Sequence, residues 1–134
     1  MTLPHELKRI RLSLARSKDH PSGSNRHGYE FVAPLDRAGH IDASLWHKHR
    51  DHCRVRRFWN GSDDEIGRLV HKPGGAEHAR WAFHYGPGAA DDDDEAGYRF
   101  GAHVFAPGEY VSIREHDDDV MRTFRVVRVE VLPN

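Results

Sequence analysis

From Phe58 onward the chain alternates apolar and polar side chains with a period of two. Trp81, Phe83 and Tyr85 share one face of a strand, and Arg80 and His84 share the other. Tyr98, Phe100, Ala102 and Val104 fall together, with Arg99, Gly101 and His103 opposite; Phe124 and Val126 alternate with Arg125 and Val127. One oily and one polar face is the pattern of strands that cover a core on one side. Turn chemistry separates them. Asn60-Gly61 leads into a strand over 66–71, and Pro73-Gly74-Gly75 into one over 79–85. A loop over 86–97 leads into 98–105, Pro107-Gly108 into 109–115, and Asp117–Asp119 into 121–132. Upstream, 29–33 reads as a strand stopped by Pro34, and 54–59 as another. Between them Asp42 stands where an N-cap belongs, ahead of about three turns of helix over 43–53. Short connections suit antiparallel neighbours. The expected fold is mainly β: an antiparallel small barrel or rolled sheet, with one additional short helix near His47.

The N-terminus follows a different period. Leu3, Leu7, Ile10 and Leu14 recur at steps of four, three and four, with Thr2 as cap and Pro4 in the first turn. Lys8, Arg9, Arg11, Arg16 and Lys18 cover the remaining surface. Residues 1–18 therefore predict a short basic amphipathic helix, a lid on the β-structure or a contact for a partner. Pro, Ser and Gly make 19–28 a linker. Residues 29–134 form a single β-rich domain.

Composition bounds the function. At 134 residues the chain suits one domain with its own core. Cys53 is the lone cysteine, which rules out an internal disulfide and suits a reducing compartment. No apolar run reaches the ~18 residues of a membrane span, and the charged N-terminus lacks the apolar stretch of a secretory signal. The expected location is the cytoplasm. The net charge of −1 exerts no overall pull on nucleic acid or acidic lipid. Twelve histidines would carry that charge to +11 if all were protonated.

Four groups of residues carry candidate chemistry. In the segment His47-Lys48-His49-Arg50-Asp51-His52-Cys53, helical spacing sets His49 beside His52 and Cys53, and His47 beside Asp51. Imidazole and thiolate ligate zinc, although the spacing is not that of a zinc finger and a closed site needs further ligands. The competing reading is a solvated helix face. In a second group, a symmetric hairpin over 86–97 would set His84 near Arg99 and Arg80 near His103 on one polar face. Two guanidinium groups and two imidazoles there suit a small anion; an exposed face neutralised by acids is the plainer alternative. Third, Arg54, Arg56, Arg57 and Arg68 interleave with Phe58, Trp59 and Trp81 like a single-stranded nucleic-acid platform, a role that the near-neutral net charge argues against. Last, the acidic runs 91–95 and 117–119 sit at turns and read as solvated loops. No phosphate-binding glycine loop, nucleophile elbow or HExxH motif occurs.

The stretches HGYEFVAPLD (27–36), CRVRRFW (53–59), DDEAGYRFG (93–101), FAPGEYVSI (105–113) and TFRVVRV (123–129) resemble a family of small alphaproteobacterial proteins with no assigned activity. The resemblance spans roughly Leu7 to Val131 and implies a bacterial source, without catalytic residues. The FAPGEYVSI…TFRVVRV end is also similar to the closing strands of SH3-like small barrels. Together these readings predict a non-catalytic binding or adaptor domain for a small anion or a protein partner, using Arg80, His84, Arg99 and His103. The alternative is a metal-dependent or acid–base enzyme built on His47, His49, His52 and Cys53, with zinc as the cofactor.

Overall fold

The computed structural model describes residues 6–18, 20–59, 61, 63–72, 80–85, 95–98, 100, 102–115 and 120–132, with the side chains of 72, 80, 96 and 98 left aside. Its strands are β1 (Leu7–Leu14), β2 (Ser24–Pro34), β3 (Arg54–Trp59), β4 (Glu65–Lys72), β5 (Arg80–Tyr85), β6 (Glu95–Tyr98), β7 (Tyr110–Glu115) and β8 (Val120–Val131). Each pairs antiparallel with the next, and β1 also pairs with β8, so the sheet closes into a barrel without free edges. One helix, α1 (Ala43–His49), continues as a 3₁₀ turn over Arg50–His52. Asp42 caps α1 as expected, its carboxylate accepting from the Leu45 amide at 3.1 Å.

The N-terminal segment is a strand, not a helix. Ile10, Leu12 and Leu14 are buried in the barrel while Arg9 and Arg11 stay half-exposed. The helical stripe left Leu12 unexplained; a period of two accounts for it. β1 supplies the seam that closes the ring between β2 and β8, and pairing on both sides outweighs the stripe's helical spacing. The expected linker is likewise shorter, because β2 begins at Ser24 and pairs with β1 from there. Residues 1–5 lie outside the described residues.

The other correction concerns β6, expected over 98–105 and found at Glu95–Tyr98. Gly97 explains the early end. A Cβ there would sit 2.5 Å from the Phe100 ring, so only glycine lets that ring fold across the strand into the core. Phe100 then packs edge-on against Phe105 at 5.3 Å and Phe83 at 5.9 Å. With Phe31, Leu69, Trp81, Val111 and Val126 they fill the centre of the barrel.

Candidate functional site

One end of the barrel interior is polar. Strict alternation on β3 turns Val55 and Arg57 inward, and β2, β5, β6 and β7 add His27, Tyr29, Tyr85, Glu95 and Glu115 around Arg57. Arg57 is 3% exposed, and Glu95 and Glu115 are wholly buried. Arg57 donates from Nε to Glu115 at 3.2 Å and from Nη1 to Glu65 at 2.7 Å, and lies 3.6 Å from Glu95. Arg122 donates to the second Glu115 oxygen at 3.0 Å. His27 Nε2 lies 2.8 Å from Glu115, with its ring stacked 4.6 Å from Trp59. The Tyr29 and Tyr85 hydroxyls donate to one oxygen of Glu95 at 2.9 and 2.6 Å.

These contacts and the burial shift the titration of Glu115, Arg57, Tyr29 and Tyr85. Burial would raise the Glu115 carboxyl, but hydrogen bonds from His27 and Arg57 hold it below its ordinary value. Burial disfavours the Arg57 cation, and the Glu95 and Glu115 carboxylates more than restore it. Burial, then the charge of Glu95, pushes both phenols well above their ordinary value. Among the described residues no buried side-chain nitrogen or oxygen lacks a partner. A cluster whose buried groups all have partners holds strands together and leaves no orphaned group to recruit a ligand.

An open groove of about 480 Å³ lies outside this end, on the outer wall. Ser13 pairs with Arg125, and Arg125 with Tyr110, which sets one row across β1, β8 and β7 as its floor. Two irregularities shape it. Val127 is an extra residue on β8, where Arg11 faces Arg128 but Leu12 faces Val126. On the other side of β1 the register jumps from Ser13–Gly28 to Leu14–Ser24. Such bulges gather at barrel rims and beside functional sites. The turn before β2 and the first residues of that strand form the wall with Ser22, Ser24 and Asn25. It depends on Gly23, whose φ of +66° suits glycine and whose Cβ would lie 2.6 Å from the Leu14 carbonyl.

Charge in the groove is one-sided. Arg16 and Arg125 line it, and no Asp or Glu of the described residues does. Both arginines are exposed, and neither guanidinium has a hydrogen bond or ion pair with another described residue. A smaller hollow of about 290 Å³ between Arg9, Arg54, Arg56 and Ile66 differs, because Glu30 lines it. Arg56 there is paired with Asp64 at 2.9 Å. Forked guanidinium donors beside hydroxyls, without a competing carboxylate, suit an oxyanion.

The residues proposed from sequence are placed as follows. The register of β5 with β6 sets Trp81 opposite Gly97 and Phe83 opposite Glu95. His84 is half-buried, and His103 lies beyond β6 in a bend. Arg99 and the Arg80 side chain fall outside the described residues. His49 and His52 have ring centroids 6.5 Å apart, while His47 neighbours Trp46 at 6.4 Å. Cys53 is buried, its thiol 3.6 Å from the His49 carbonyl, and burial pushes its pKa up to about 12. Among the described residues no three His, Cys, Asp or Glu side chains converge as metal ligands.

Of the basic strand, Arg57 turns inward and Trp81 is buried, while Phe58 is covered by Arg11, whose guanidinium stands 4.4 Å from the ring. That leaves no exposed aromatic row on β3 for bases to stack on. The acidic run 91–95 divides as well. Glu95 is a core residue, because it opens β6 opposite Phe83 and meets two phenols; 91–94 and 117–119 lie outside the described residues. The groove escaped sequence reasoning because bulges have no signature in side-chain alternation. No helix among the described residues is long and apolar enough to cross a membrane. Compared with family models, curated proteins and solved structures, the chain matches none.

Proposed function

We propose that this chain is a non-catalytic, cytoplasmic binding domain for a small oxyanion, taken up in the outer groove between Arg16 and Arg125. The observation that carries the reading is the pair of guanidinium groups, engaged by no other described residue, in a groove of about 480 Å³ that no described acid lines. Two exposed like charges left without partners add nothing to folding. Ser22 and Ser24 supply hydroxyl donors, and Arg125 is fixed by the ladder on both flanks. The saturated interior supports binding over chemistry, since its acids and bases already satisfy one another. The polar face of Arg80, His84, Arg99 and His103 gives way to this groove as the anion site.

Thermal unfolding in inorganic phosphate tests the reading. Selective binding to the folded state raises Tm with ligand concentration. The Tm of the wild-type chain rises with phosphate and not with matched chloride, and Arg125→Ala removes the rise. A phosphate effect that survives Arg125→Ala unchanged contradicts the assignment.

A further inference from the structure

We propose that the anion taken by this groove is a phosphate monoester carrying a planar aromatic ring, with a nucleoside monophosphate as the natural fit. The proposal rests on the anion-binding reading and adds what the rest of the ligand is. Size is the first argument. A groove of about 480 Å³ lies in the range of sites for whole small molecules, well beyond a bare phosphate. The second argument is Tyr110. Its side chain is 55% exposed, a large aromatic on an outer wall whose neighbouring pair is Ser112 with Thr123. It stands directly opposite Arg125 across the β7–β8 ladder, so the two side chains leave the same face of the wall as cross-strand neighbours. A phosphate on Arg125 and Arg16 leaves an attached ring within reach of Tyr110, and aromatic stacking tolerates any base. The third argument is the mixed lining: Leu14, Ala15 and Val127 offer apolar contact, while Ser24 and Asn25 offer partners for sugar hydroxyls.

Calorimetric titration of the full chain with AMP, ribose 5-phosphate, adenosine, phenyl phosphate and inorganic phosphate separates the parts. AMP binds roughly tenfold more tightly than ribose 5-phosphate, a margin within the usual worth of one stacked base. Tyr110→Leu, an exposed substitution whose folding is checked by circular dichroism, erases that margin and leaves ribose 5-phosphate unaffected. Arg125→Ala weakens every phosphate and spares none. Phenyl phosphate reports the source of the ring: matching AMP marks any aromatic phosphate as sufficient, and falling short of it marks the nucleoside. If AMP and ribose 5-phosphate bind equally, or the margin survives Tyr110→Leu, the aromatic inference is overturned while the anion site stands. If no phosphate binds, both fall. Adenosine binding as tightly as AMP overturns the phosphate anchor.

Discussion

Arg57 follows Cys53 and Val55 on the inward side of β3, so period-two alternation alone points it into the barrel. Reading its charge before its position sends it to the surface. What overrides that instinct is pairing, and the pairing partner Glu115 stands 58 residues away, where no local pattern announces it. A buried charge is tolerated when hydrogen-bonded and ion-paired, and breaking such a pair costs about 3–5 kcal/mol. Glu115→Gln should therefore lower stability by about that much in urea unfolding. The sign with pH follows from the depressed folded pKa of Glu115. Its stabilisation is complete above the unfolded value of about 4.3 and is lost as pH falls through the folded value. Wild type should thus lose stability on acidification below that range, and Glu115→Gln should lose less of it. Tyr29 and Tyr85 act in the opposite direction. Their raised values keep the phenols protonated, and their contribution disappears only as pH rises past about 10 toward the folded values. Cys53, pushed up to about 12, stays a thiol at neutral pH. Ellman's reagent should label it slowly in the native protein and rapidly in urea; fast native labelling would contradict its burial.

At the scale of elements, legibility tracked how local the determining forces are. Strand β3 was read with its limits, and α1 with its cap, because turn residues and the Asp42 carboxylate act within a few residues. Asp42→Ala should cost about 1 kcal/mol, measured by denaturant unfolding. A stability unchanged by that substitution would remove the cap from the account. Strand β1 was misread because Leu7, Ile10 and Leu14 fit a helix and a bulged strand alike. Leu12 decides between them, and only pairing with β2 and β8 gives it a place. Strand β6 was misplaced for a different reason. Its apparent alternation across Phe100 ignores the fold-over that Gly97 permits, which is a packing event rather than a pattern.

For the molecule as a whole, alternation and hairpin chemistry made a mainly β antiparallel architecture readable. A barrel was one of the two forms expected; the seam that closes it was not readable, since it depends on β1 meeting β8. The same seam carries the bulge at Val127 and the register jump at Leu14, so closing the barrel also opens the groove. The interior acids and bases hold the strands together, and the outer wall carries Arg16 and Arg125, whose guanidinium groups no other described residue engages. An oxyanion is proposed to bind between Arg16 and Arg125. Titrating phosphate into ¹⁵N-labelled protein and following backbone amide shifts tests it most directly. The account predicts saturable shifts confined to the β1–β2 turn around Ser22–Asn25 and to the stretch around Arg125 and Val127. Shifts centred on Arg80, His84, Arg99 and His103, or none at all, would contradict it.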